Sequence, residues 1–141
     1  PAWGADKLAV ELFGELVEPD LLQPTFVCDY PAIAQPLARQ HREQPGLIEA
    51  WDLIIGGLER GTGFSELIDP VIQRERLTAQ SLKAVDGDHE AMQLDEDFLN
   101  ALEFGAPPMG GVGLGVDRLI MLFTGVGIRE SILFPLLKPH A

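Results

Sequence analysis

Leu8, Leu12, Phe13, Leu16 and Val17 recur three and four residues apart between Ala5 and Val17, and Pro19 follows. That spacing predicts an amphipathic helix closed by proline. Thr25 to Tyr30 is a short β-type run ended by Pro31, and prolines break the region from there to Pro45 into loop. Trp51 to Gly57 and Gly63 to Ile68 read as two strands with a glycine-containing connection. Asp69-Pro70 then supplies a capping side chain and a proline at the first helical position. The helix that follows is predicted to run to about Val85, burying Leu77, Leu82 and Val85, with Gly87 as its stop. Asp95 caps a second short helix with Glu96 and Asp97 in its first turn, Phe98 and Leu102 as its apolar face, and Gly105 with Pro107 at its end. A glycine-rich strand, a helix from Val116 to Thr124 and an apolar strand around Ile132 to Phe134 complete the chain. Strands separated by helices without regular βαβ alternation predict an α+β fold on an antiparallel sheet.

At 141 residues and 46% hydrophobic content, the chain is sized for one domain with a real core. Its net charge of −12, from 22 acidic and 10 basic residues, argues against non-specific nucleic-acid binding through this segment. The lone Cys28 can form no internal disulfide, so a reducing, cytoplasmic setting is the simple expectation. No apolar run reaches membrane-spanning length and no signal peptide opens the sequence, so no direct membrane contact is expected from this segment. A chain that begins at Pro1 is expected to be part of something longer.

Chemistry concentrates in two places. Gly110, Gly111, Gly113 and Gly115 lead directly into Arg118 at the head of an apolar helix. Backbone stripped of side chains can press against a bulky ligand, and a guanidinium can stack on a base or clamp a phosphate. The glycines do not form the n, n+2, n+5 set of a dinucleotide fold, and no Gly-Lys-Ser/Thr follows. A nucleotide site and a plain strand-to-helix packing turn fit this run equally. Asp117 serves best as charge compensation at the helix start. Earlier, Asp52 and Glu59 stand seven apart among Trp51, Leu53, Ile54 and Ile55, open either as a magnesium pair or as a solvated strand face. Glu66, between Phe64 and Leu67, suits either a substrate ammonium or a neighbouring Arg or Lys.

The run Gly113-Leu-Gly-Val-Asp-Arg-Leu119, followed by Thr124-Gly, Ile128-Arg-Glu and Leu133-Phe-Pro, resembles motif 3 of class II aminoacyl-tRNA synthetases, specifically lysyl-tRNA synthetases. The likeness continues in family order through Phe26-Val-Cys-Asp-Tyr-Pro31, Pro36-Leu-Ala-Arg39, Ile55-Gly-Gly-Leu-Glu59, Gly63-Phe-Ser-Glu-Leu-Ile-Asp-Pro70, Asp95-Glu-Asp-Phe98 and Ala106-Pro-Pro108. It implies a class II antiparallel sheet flanked by helices, present only as its C-terminal half. It further implies that Asp52 and Glu59 hold the Mg2+ of ATP, with Glu59 also in the ATP site. Glu66 would read the lysine ε-ammonium, with Thr62, Phe64, Gly111 and Gly113 in the lysine pocket. Gly115 and Arg118 would bind ATP, Arg118 as the catalytic arginine. The chain departs from the family pattern at Asp52, where glutamate is usual, at Thr62 and Ile68, where asparagine is usual, at Arg60, where an aliphatic is usual, and at Gln35, where serine is common.

The implied activity is ATP-dependent formation of lysyl-adenylate and transfer of the lysyl group to tRNA, in a homodimer. The dimer-forming motif 1, the motif 2 arginine and aromatic, and the anticodon-binding domain have no counterpart in these 141 residues. The isolated chain is therefore expected to be inactive, with tRNA contacted mainly through the missing domains. Two alternatives stand beside the housekeeping enzyme. One is the synthetase module of a membrane-linked protein that also lysylates phosphatidylglycerol, favoured by Thr62 and Ile68. The other is a non-catalytic interaction module, disfavoured because Glu59, Glu66 and Arg118 are all retained.

Overall fold

A computed structural model describes residues 4–85 and 91–134. Helix α1 spans Ala5–Leu16 and leads through a 3-10 turn at Glu18–Asp20 to strand β1, Thr25–Cys28. Strands β2 (Ala50–Ile54) and β3 (Glu59–Ser65) form a hairpin, helices α2 (Pro70–Val85) and α3 (Glu96–Glu103) follow, and β4 is Gly110–Leu114. Helices α4 (Val116–Thr124) and α5 (Ile128–Ser131) complete the described chain. The four strands form one antiparallel sheet in the order β1-β2-β3-β4. This is the α+β arrangement expected from the sequence.

The β2–β3 hairpin turns through Gly56 and Gly57, both at positive φ (65° and 67°). Two consecutive left-handed residues match the right-handed twist of the flanking strands. Their amides donate to Leu22 O and Leu21 O, which ties the turn to the segment after α1. A Cβ on Gly57 would lie 2.6 Å from Pro19 O, so this position admits neither the bulk nor the conformation of another residue. Strand β3 therefore begins at Glu59, four residues before the predicted start. Glu66, expected within the strand, lies just past its end and makes a single bridge to Ala38.

The core gathers Ala38, Ile48 and Ala50 with Tyr30, Ala32 and Phe64 packed against them. Leu77, Leu99 and Leu102 are buried where α2 meets α3. Asp69 Oδ1 accepts the amides of Val71 and Ile72, and Asp95 Oδ1 accepts that of Phe98, so both predicted caps are made. Arg74 reaches from α2 to both carboxylate oxygens of Glu96 at 2.7 and 2.9 Å.

Three sequence expectations are corrected. Leu82 is 63% exposed, lining an open surface hollow with Arg74, Thr78 and Glu103. Leu99, not Phe98, is buried with Leu102 on α3. Ile132 to Phe134 forms no strand and pairs with neither edge of the sheet, and Phe134 is 93% exposed. Helix α1 forms as expected, with Phe13 in edge contact with Tyr30 and Leu8, Leu12, Leu16 and Val17 exposed. The side chain of Val85 and the whole of Gly87 lie outside the described residues.

Candidate active site

Cross-strand register brings residues far apart in sequence onto one side of the sheet. Asp52 pairs with Thr62 and Thr62 with Gly113; two residues along, Ala50 pairs with Phe64 and Phe64 with Gly111. Because side chains alternate along a strand, Asp52, Thr62, Phe64, Gly111 and Gly113 share a face. Trp51, Gly61 and Gly63 lie on the other, where the Trp51 indole covers Gly63 and meets Phe26 edge-on at 5.2 Å.

The glycines of β4 differ in what they make room for. A Cβ at Gly111 would collide with the Glu66 carboxylate, so the missing side chain is what lets Glu66 lie over the strand. A Cβ at Gly115 would crowd the Arg118 stem at 3.2–3.4 Å. At Gly113 a Cβ would meet only the Thr62 methyl, at an ordinary 3.8 Å. Nothing in the fold itself requires glycine there.

Glu66 is half-buried, and burial raises its carboxyl above the ordinary range. Among the described residues, no Arg or Lys pairs with it. Phe64, beside it, packs partly into the core cluster rather than standing free. The Thr62 hydroxyl is turned to the main chain, donating to Trp51 O at 3.4 Å.

A second group forms where α4 crosses the hairpin. Gly115 N donates to Arg60 O at 3.0 Å, placing the helix start on β3. Arg118 Nη1 then donates to Glu59 O at 3.0 Å and pairs with Glu59 Oε1 at 3.3 Å. Both side chains are about 40% exposed, so solvent screens the pair and leaves it open to a ligand.

Asp52 and Glu59 belong to a larger acidic group than the sequence indicated. The Tyr30 phenol is raised far above its usual value, first by burial, then by its hydrogen bond to Asp52, then by the charges of Asp52, Glu18 and Glu59. Glu18 Oε1 also accepts the Glu59 amide at 3.3 Å. Neither Tyr30 nor Glu18 carried a chemical signal in the sequence; Glu18 lies 41 residues before the amide it caps. No group of three or more His, Cys, Asp or Glu among the described residues forms a self-sufficient metal site. Two carboxylates that supply only hard oxygens fit magnesium, whose other positions go to phosphate and water. Surface hollows along Arg74, Thr78 and Leu82, and around Leu37, Leu77 and Phe98, contain none of these residues. The candidate site lies on a sheet face where Gly113 is exposed and Glu59 and Arg118 are partly so.

Residues 3–138 match the family described as tRNA synthetases class II (D, K and N). The chain is 55% identical over 139 residues to the lysylphosphatidylglycerol biosynthesis bifunctional protein LysX of Gordonia bronchialis, covering 99% of this chain and 12% of that protein. It is 56% identical over 138 residues to the protein of that name from Mycobacterium ulcerans, covering 98% and 12%. It is also 55% identical over 138 residues to a lysine–tRNA ligase of Kineococcus radiotolerans, covering 98% and 28%. The chain thus spans about an eighth to just over a quarter of these relatives' lengths. With a match across nearly its whole length and a four-stranded antiparallel sheet to carry it, the chain belongs to the class II (D, K and N) tRNA synthetases.

Proposed function

We propose that the chain is the C-terminal portion of a class II catalytic domain that activates lysine with ATP and passes it to tRNA. One observation carries this reading: a half-buried carboxylate, Glu66, has no cationic partner among the described residues and lies on the sheet face that also bears Asp52, Thr62 and the β4 glycines. An ε-ammonium is the ligand that such a carboxylate lacks.

In the reaction, a lysine carboxylate oxygen attacks the α-phosphorus of ATP and pyrophosphate leaves. The acyl group then passes from the adenylate to a terminal ribose hydroxyl of tRNA, with AMP leaving. Glu66 fixes the side chain of the amino acid from the room that Gly111 leaves, Thr62 and Phe64 border it, and Gly113 admits its backbone. Gly115 and Arg118 receive the nucleotide, Arg118 neutralising phosphate charge from beside Glu59. Asp52 and Glu59 would hold magnesium, which neutralises charge on the phosphates. No covalent enzyme intermediate is needed; positioning and charge compensation suffice. The parts that grip the α-phosphate, form the homodimer and bind the anticodon belong to the rest of the protein.

The test is lysine-dependent ATP–pyrophosphate exchange by the chain joined to the remainder of its catalytic domain. Glu66→Gln is expected to raise the lysine KM at least about 100-fold, since a partly buried charge pair is lost. An unchanged lysine KM sinks the reading. Thr62 and Ile68 favour a second form of it, in which the same module serves a membrane-linked protein that lysylates phosphatidylglycerol. Lysine-dependent charging of tRNA alone, with no lysyl transfer to that lipid by the full protein, would reject this form.

A further inference from the structure

Arg60 is only 6% exposed, yet no carboxylate among the described residues pairs with it. Its guanidinium is directed to main chain: Nε donates to Ile55 O at 3.0 Å and Nη1 to Arg118 O at 2.7 Å. Burying a full charge against two carbonyl dipoles is a costly way to stabilise a fold. An aliphatic side chain would fill this space more cheaply. The contacts suggest what the charge does instead. The side chain of Arg60 grips the main chain of Arg118, while the side chain of Arg118 grips the main chain of Glu59. Between them, Gly115 N bonds to Arg60 O. The first turn of α4 is thereby clasped to the hairpin from both sides, and Ile55 O extends the clasp to the end of β2.

We propose that Arg60 is a positioning residue of the nucleotide site: it locks the first turn of α4 onto the hairpin, so that the Arg118 guanidinium is held beside Glu59 before ligand arrives. This rests on the reading of Arg118 as a nucleotide-binding residue. A preset guanidinium loses less freedom on binding, so its loss is read in ATP affinity.

The test compares Arg60→Met, Arg60→Lys and Arg118→Ala in the protein containing the complete catalytic domain, with ATP and lysine KM measured by pyrophosphate exchange. Arg60→Met is expected to raise the ATP KM about tenfold, the worth of a charge-assisted hydrogen bond, while the lysine KM holds. Arg60→Lys recovers part of this, because an ammonium reaches one of the two carbonyls but not both. Equal rises in both KM values, or unfolding of both Arg60 variants in a thermal melt, would make Arg60 a purely structural residue and overturn the proposal. An unchanged ATP KM in Arg60→Met beside a raised one in Arg118→Ala overturns it too, while the nucleotide reading stands. An unchanged ATP KM in Arg118→Ala removes that reading, and the proposal with it.

Discussion

A half-buried carboxylate without a cation weakens the fold that carries it, and the sign of that effect gives a test of Glu66. Burial raises its folded pKa above the unfolded value. The ionised form therefore costs stability above the folded pKa, and the cost disappears as pH falls below the unfolded one. Lysine binding needs the ionised form. Lysine KM is thus expected to climb on acidification from the upper edge of the carboxylate range, before ordinary glutamates protonate, and the residual lysine KM of Glu66→Gln should show no such climb. A pH profile shared by wild type and Glu66→Gln would assign the titration elsewhere. Gly113 separates ligand from fold in another way. Its added Cβ would meet only the Thr62 methyl at 3.8 Å, so Gly113→Ala should change stability by no more than about 1 kcal/mol in denaturant melts. If substrate backbone presses there, the same variant loses substrate affinity sharply. Unaltered affinity in a well-folded Gly113→Ala would mean that the strand faces only water.

At the scale of elements, the hairpin is the part on which the site depends. It sets where Glu59 starts β3, and through Arg60 and Gly115 it sets where α4 starts. Gly57→Ala combines φ of 67° with a contact to Pro19 backbone, and is expected to destabilise the chain by about 2–4 kcal/mol in urea unfolding. A loss below about 0.5 kcal/mol would show that the turn relaxes and does not fix the register. The helices with explicit start signals were legible in the sequence: Asp69-Pro70, Asp95 and the 116–124 run all appear where the signals stand. The strands were less so. Glycine-rich β3 has little hydrophobic alternation, and its start is dictated by the turn and by pairing with β4. Ile132 to Phe134 carries a strand-like composition, but composition supplies no partner edge. The motif residues of the candidate site could be named from the sequence. Glu18, Tyr30 and the contacts of Arg60 could not, because each acts through a contact made in three dimensions across 22 to 58 residues of sequence (Tyr30 to Asp52 and Arg60 to Arg118 at the extremes).

For the whole molecule, the face opposite the candidate site leaves Phe26, Val112 and Leu114 exposed, and β1 and β4 are the edges of the sheet. Apolar side chains on an open sheet bind other apolar surfaces. The isolated chain is expected to bind a hydrophobic dye and to self-associate with rising concentration, and Val112→Lys should reduce both; a dye-silent monomer would show this face to be inert. The isolated chain is expected to have little activity, since the motif 2 contacts to ATP have no counterpart in these residues. The central claim, that Glu66 selects an ammonium on this face, is tested most directly by isothermal titration of the complete catalytic domain with magnesium and two non-hydrolysable adenylate analogues. One carries lysine, the other norleucine, which matches the stem and lacks the ammonium. Wild type is expected to prefer the lysyl analogue by at least about 100-fold and Glu66→Gln to lose most of that preference. Equal affinity of wild type for the two analogues would contradict the account.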